Sequence, residues 1–275
     1  MDLFTSQYPL EFICFGSGSS GNCYILRRDK ECVLIDLGIG IRQFKRYLYQ
    51  YGLKPSHFVA AFVTHDHTDH VKAIGKFAAE TGIPVYTTAL VHEGMMHNRF
   101  MAKKVPEKQV RILKTGETTS VAGMEFTAFP VPHDSKDCVG YLVRTEHICL
   151  CLATDVGSPT EDVCQAVRQA DYVVLEANYD LPMLATGRYP QYLKDRIRGG
   201  HGHLSNDETA ETLARCLRSD VKHIWLCHLS EENNTPALAL STVCSQLEKA
   251  GRKPSEEFVI EALPRTRATE FYTLN

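Results

Sequence analysis

The chain has 275 residues, 44% of them hydrophobic and 23% charged, which describes an ordinary soluble chain with a large core. A formal net charge of −3 excludes a broadly basic nucleic-acid-binding surface, so any attraction to phosphates must come from local clusters or from bound cations. No apolar run approaches the ~18 residues of a membrane span and no signal peptide is visible, so no membrane partner and a cytoplasmic location are expected, with the ten scattered cysteines as reduced, buried thiols.

In chain order, strands run to about Asp36 and enclose the glycine-rich segment 16–21. That segment admits a phosphate cradle or a hairpin turn. The turn fits better, because no P-loop lysine is present and Tyr24-Ile25-Leu26 continues as a strand. A helix is expected over 41–50, followed by the apolar run 58–63, which reads as a buried strand. At its end stands Thr64-His65-Asp66-His67-Thr68-Asp69-His70, with three imidazoles and two carboxylates in six residues. His65 and His67 fall in a loop, and Asp69 and His70 near the start of a helix expected through 71–80. Imidazole and carboxylate at this spacing suit two neighbouring divalent ions, with zinc, manganese or iron favoured over calcium or magnesium.

A short strand at 85–86 follows, and then a Met-rich segment, 95–101, whose Met and Phe spacing reads as helix packing. Lys103, Lys104, Lys108, Arg111 and Lys114 form a loose basic cluster behind it.

Three later strands end in further ligand candidates. The alternating run 124–132 ends in His133-Asp134-Ser135. The apolar run 148–153 ends in Thr154-Asp155-Val156-Gly157, where glycine allows a sharp turn beside the carboxylate. The run 221–227 ends in His228. Asp155 suits a bridge between ions, whereas Asp134 admits three roles: ligand, acceptor behind the ligands, or solvated residue. Helices are expected over 161–169, 207–217 and 236–250, with a strand at 172–175. Arg188, Lys194, Arg196 and Arg198 surround Tyr189 and Tyr192, a mixture that suits phosphate contact and base stacking or a solvated helix face. His57, His92, His97, His147 and His223 stand outside any cluster and are expected to be ordinary surface or packed residues. Two mixed sheets faced by helices would bring the strand ends to one edge, where α/β folds place ligands. No linker separates a second domain, so residues 1–275 are expected to form one.

The series His65-x-His67-x-Asp69-His70, His133, Asp155 and His228 resembles the metallo-β-lactamase fold superfamily over nearly the whole chain. The resemblance implies an α/β fold, a four-layer αβ/βα sandwich of two mixed sheets with outer helices. It also implies His65, His67 and His133 on one ion, Asp69, His70 and His228 on a second, and Asp155 bridging. One branch of lactamases has cysteine where Asp155 stands, so the chain looks more like the hydrolases with paired ions. Asp36-Leu37-Gly38 is similar to the superfamily's early aspartate motif, which implies that Asp36 orients the His-rich loop without touching metal.

Segments 15–23, 174–180 and 200–206 resemble the YycJ/WalJ group of DNA exonucleases. Glu176 and His203 occupy places similar to those of a glutamate and a histidine in related tRNA-processing endonucleases. This implies that His203 stabilises charge or protonates the leaving group while Glu176 holds it; His201 competes for the role. In this fold the glycine-rich hairpin borders the groove, so Ser19, Ser20 and Asn22 join Arg188, Arg196 and Arg198 as candidate substrate contacts. No large insertion lies between Asp155 and His203, so the cap of the larger RNA-processing relatives is not expected.

Two cations about 4 Å apart lower the pKa of a shared water and clamp the attacking and leaving oxygens of an in-line phosphoryl displacement. The expected function is therefore a metal-dependent phosphodiesterase or nuclease, by resemblance a 5′-to-3′ DNA exonuclease. Its nucleophile would be a hydroxide shared by the ions and oriented by Asp69, with His203 as proton donor. The alternatives are a phosphodiesterase of small cyclic or nucleotide-like substrates, a thioester or lactam hydrolase, and a non-catalytic protein that keeps metal for stability. Asp155, Glu176 and His203 speak against the thioester or lactam hydrolase. DNA or a small phosphodiester is the expected partner, and the sequence carries no sign of oligomeric state.

Overall fold

The computed structural model describes residues 8–275; the first seven residues of the expected 1–275 unit lie outside the described residues. Runs rich in Val, Ile, Leu, Phe and Cys form the strands, because branched and aromatic side chains pack well on a pleated surface. They are β1 (Leu10–Gly16), β2 (Cys23–Arg28), β3 (Glu31–Ile35), β4 (Phe58–Phe62), β5 (Val85–Thr87), β6 (Val110–Ile112), β7 (Thr118–Val121), β8 (Met124–Pro130), β9 (Val139–Arg144), β10 (Cys149–Ala153), β11 (Tyr172–Glu176), β12 (His223–Cys227), β13 (Val259–Ala262) and β14 (Tyr272–Leu274). Two seven-stranded sheets result, ordered β14-β1-β2-β3-β4-β5-β6 and β13-β12-β11-β10-β9-β8-β7. Each is mixed: β1 to β3 and β7 to β10 pair antiparallel, while β3 to β6 and β10 to β13 pair parallel.

The helices are α1 (Ile41–Gln50), α2 (Thr68–Val71), α3 (Ile74–Thr81), α4 (Ala89–His97), α5 (Glu161–Arg168), α6 (Leu181–Thr186), α7 (Gln191–Arg198), α8 (Asn206–Cys216) and α9 (Pro236–Lys249). The sheets face each other across a central core in which Phe62 stacks on Phe126 at 4.0 Å between centroids. On the outer side of the first sheet, Phe44 of α1, Phe58 and Phe77 of α3 meet edge to face. The second sheet is covered by α5, α8 and α9. The α/β four-layer sandwich expected from the sequence is the observed architecture. Helix α1 buries Phe44, Tyr47 and Leu48, three positions of one helical face, and α8 opens with a reciprocal Ser205/Glu208 cap.

Two local expectations are corrected. The helix expected through 71–80 is broken into α2 and α3, because Ala73 turns its N–H out of the helix to the Leu37 carbonyl at 2.9 Å. That bond, with Leu37 N–H to His70 O at 2.7 Å, docks the His-rich loop on the Asp36 turn. Residues 181–198 contain α6, for which no helix is expected, and α7, which buries none of its residues and so matches the solvated helix face that was one of the two readings of the Arg188–Arg198 cluster. The Met-rich segment is split: Met95 and Met101 are buried, whereas Met96 and Phe100 are exposed.

All ten cysteines are free, nine of them buried, as expected. Burial pushes the Cys14 thiol up to about 12. Among the described residues, no helix is long and apolar enough to cross a membrane.

Candidate metal centre

Parallel strands release their C-terminal ends at one edge, and the candidate residues collect there. Asp36 follows β3, the segment 64–70 follows β4, His133 follows β8, Asp155 follows β10, Glu176 ends β11 and His228 follows β12. Asp36, Asp155 and His228 all adopt left-handed backbone, with φ of 58°, 52° and 53°. Such conformations cost on the order of 1–3 kcal/mol each and persist where the surroundings enforce them. Here they turn the three side chains inward immediately after a strand.

The imidazoles are held by one nitrogen. Asp36, fully buried, accepts from the Thr64 N–H (2.9 Å), from the Thr64 hydroxyl (2.8 Å) and from His70 Nδ1 (2.7 Å). With its proton committed to Asp36, the Thr64 hydroxyl can accept from His65 Nδ1 at 3.1 Å. His133 Nδ1 donates to the Gly202 carbonyl at 2.9 Å and His228 Nδ1 to Glu176 Oε1 at 2.8 Å. Each ring is thereby fixed with Nε2 turned inward, the arrangement in which outer partners orient metal-ligating histidines. His67 instead brings Nδ1 to 3.3 Å from His133 Nε2.

The inward atoms test whether the site fits metal. His65 Nε2, His228 Nε2 and Asp155 Oδ2 are buried without a hydrogen-bond partner among the described residues, an arrangement costly for polar atoms unless something neutralises them. Acceptors also crowd one another: His70 Nε2 lies 3.1 Å from Asp155 Oδ2, and His228 Nε2 lies 3.5 Å from Asp69 Oδ2. Ligand atoms within 4.8 Å of one another come from His65, His67 and His133, from Asp69, His70 and His228, and from His65, His70 and Asp155. This donor set could hold divalent cations.

Protons occupy the same field in the absence of cations. Burial opposes charge on His228, but Asp155, Asp69 and Glu176 outweigh it and bring the imidazole up to about 10. Burial likewise opposes charge on His70, which Asp155, Asp36 and Asp69 hold well above the ordinary range. At His65 burial, joined by the neighbouring His70, prevails over Asp155 and pushes the imidazole well below the ordinary range.

Glu176, fully buried, joins this cluster to His203. Its Oε1 accepts from both His203 Nδ1 and His228 Nδ1 at 2.8 Å, while Oε2 accepts from the N–H groups of Val156 and Leu204 at 2.8 and 3.1 Å. His203 reaches the cluster, 5.1 Å from His133 between ring centroids, and His201 is exposed, with its backbone packed on Gly157. Of the two histidines, His203 is the one brought to the site.

Asp134 lies at the cluster's rim, with Oδ1 3.4 Å from His133 Nε2 and Oδ2 taking the Arg196 guanidinium. Beside them opens a cleft of about 170 Å³ lined by Ser19, Asp134, Tyr189, Arg196, His203 and Ser230 among others. Ser20, Arg188 and Arg198 are exposed outside this lining. Asn22 is a correction: it is fully buried, accepts from Gly18 N–H at 2.9 Å and sets its amide 2.8 Å from His70 Nε2. It braces the glycine turn against His70, out of reach of a substrate. Sequence reasoning also passed over three supports: Thr64, Ser17, whose hydroxyl accepts from His228 N–H at 2.9 Å, and Asn178, whose amide donates to the His228 carbonyl at 2.8 Å. Thr64 adjoins the His cluster and Asn178 follows Glu176 by two positions, so adjacency was the available signal.

Residues 31–228 match the family model described as the β-lactamase superfamily domain. The chain is 32% identical over 245 residues to the exodeoxyribonuclease WalJ of Streptococcus pneumoniae strain D39, covering 89% of this chain and 91% of that protein. It is 32% identical over 251 residues to the exodeoxyribonuclease YycJ of Bacillus anthracis, covering 91% of this chain and 94% of that one. Its fold is similar to that of the metallo-β-lactamase fold protein YhfI from Bacillus subtilis, with TM-score 0.70, 13% identity and coverage of 95% and 99%. The chain therefore belongs to the β-lactamase superfamily, as a metal-dependent hydrolase of the metallo-β-lactamase fold.

Proposed function

We propose that the chain is an exodeoxyribonuclease that degrades DNA from the 5′ end with two divalent cations. The observation that carries this reading is the set of buried, partnerless atoms His65 Nε2, His228 Nε2 and Asp155 Oδ2 beside the Glu176–His203 pair. Such a set suits cations and a proton donor at one point, and the names of the two similar exodeoxyribonucleases supply the substrate class.

In this reading His65, His67 and His133 would hold one cation and Asp69, His70 and His228 the other, with Asp155 as a further carboxylate donor between the two groups. Zinc, manganese and iron suit the donors. Bound there, two cations lower the pKa of water and stabilise charge on the phosphoryl oxygens. Asp69, whose side chain keeps 24% of its surface exposed, orients the attacking water. His203 is placed to pass a proton from Nε2 to the departing 3′ oxygen, because Glu176 fixes its Nδ1–H and so turns Nε2 towards the site. Asp36 keeps His70 and the His-rich loop in place. Arg196 and Tyr189 bind the terminal phosphate and base in the cleft, with Ser19 at its mouth and Ser20, Arg188 and Arg198 along the approach. Residues 1–275 act as one domain in the cytoplasm.

The test is digestion of a 5′-phosphorylated, end-labelled DNA duplex by metal-loaded protein, beside RNA, an aryl phosphodiester and an Asp155→Ala control. Stepwise release of nucleotides from the 5′ end, lost in the control, is the expected outcome. Cleavage of the aryl ester alone would replace the reading with a small-molecule phosphodiesterase.

A further inference from the structure

The rings of His67, His133 and His203 neighbour one another in turn as a row of contacts, 4.9 Å and 5.1 Å between successive centroids. The Tyr189–Arg196 cleft opens at the His203 end of that row. At the His67 end lies a second cleft of about 390 Å³, lined by His67, Thr68, Asn98, Arg99, Phe100 and Lys136 among others. Its loop follows α4 and presents Phe100 with 74% of its surface exposed, beside Met96 at 56%.

The backbone that carries this exposed aromatic is tied in place. Asn98 Nδ2 donates to the Asp66 carbonyl of the His-rich loop at 2.7 Å, and Asn98 Oδ1 accepts from Phe100 N–H at 2.9 Å. One side chain thus ties Phe100 to the loop that carries His65 and His67. Two cationic residues share the cleft's lining: Arg99 is exposed, and Lys136 pairs with the exposed Glu93. The one carboxylate in the lining, Asp66, takes the Ser135 hydroxyl. An exposed apolar ring on a tied backbone, sharing a cleft with Arg99 and Lys136 and continuous with a candidate phosphodiester-cleaving centre, matches a base-stacking platform beside a phosphate track.

We infer that Phe100 and Arg99 form a second contact for a single DNA strand at the His67 end, so that the substrate crosses the centre from one cleft to the other. Phe100 stacks a base and Arg99 meets the adjoining phosphate. The inference rests on the exodeoxyribonuclease reading and adds where the polymer runs.

The test compares kcat/KM for 5′-phosphorylated single-stranded oligonucleotides of increasing length with that for an aryl phosphodiester, using metal-loaded wild type, Phe100→Ala, Phe100→Trp and Arg99→Ala. In Phe100→Ala the DNA-to-aryl-ester ratio falls about tenfold and the gain with oligonucleotide length is lost, while Phe100→Trp retains both. Arg99→Ala flattens the salt dependence of DNA binding by about one unit of slope. A wild type that degrades DNA while Phe100→Ala leaves ratio and length dependence untouched would overturn the inference alone, and would leave the patch to a protein partner. A wild type that cleaves the aryl ester but no DNA would overturn both readings.

Discussion

His203 Nδ1 donates to Glu176 Oε1 at 2.8 Å, and the same oxygen receives His228 Nδ1. One buried carboxylate therefore positions both the proposed proton donor and a proposed cation ligand. Glu176→Gln should lower kcat by about 100-fold with a smaller change in KM, and His203→Ala should do the same. Because the two act as a unit, the double variant should lose far less than the product of the single losses. Steady-state kinetics on DNA checks both statements.

Asp36 touches no inward-facing nitrogen, yet it fixes His70 through Nδ1 and Thr64 through two hydrogen bonds. Asp36→Asn keeps the shape and removes the charge that orients His70. Cation affinity, measured by competition with a chromogenic chelator, should fall about 10- to 100-fold. Circular dichroism should remain that of the wild type.

Gly38 is a glycine because a Cβ there would lie 1.5 Å from the Asp69 carbonyl oxygen. Gly38→Ala must push the His-rich loop away from the Asp36 turn. Denaturant unfolding of the metal-free protein should show a loss of about 1–3 kcal/mol. The cation-induced rise in melting temperature should also shrink.

His92 and His223 lie outside the metal centre, and burial pushes both imidazoles below their ordinary value of 6.5. The unfolded chain takes up these protons near the ordinary value, whereas the folded chain takes them up only at lower pH. Their contribution to stability is therefore complete above the unfolded value and is lost as pH falls through the folded values. Melting temperature should decline between about pH 7 and pH 5, and His92→Gln or His223→Gln should flatten that decline.

The strand-end positions of His65, His133, Asp155 and His228 were legible because each follows a short apolar run in the sequence itself. The supports around them were harder to find. Gly202 holds His133 across 69 positions and leaves no local pattern, whereas Asp36, which holds His70 across 34, was reached through the likeness of Asp36-Leu37-Gly38 to an early aspartate motif and not through spacing. Asn22 was misjudged for the same reason: the glycine turn beside it is local, but its contact with His70 spans 48 positions. The break between α2 and α3 was missed because a tertiary hydrogen bond from Ala73 decides it, and α7, which buries nothing, was open only as a solvated helix face beside a second reading. Phe100 reads as packing from its spacing and proves exposed, since a helical period does not say where the helix stops; α4 ends at His97.

The central claim is that this cluster holds two cations and that cleavage depends on them. Elemental analysis of wild type, His65→Ala and Asp155→Ala, with DNA cleavage assayed on the same samples before and after chelation, tests it most directly. The account predicts two ions per chain in the wild type, fewer in each variant, and activity that disappears on chelation and returns with added cation. Fewer than one ion per chain in active wild type, or undiminished cleavage by His65→Ala and Asp155→Ala, would contradict it.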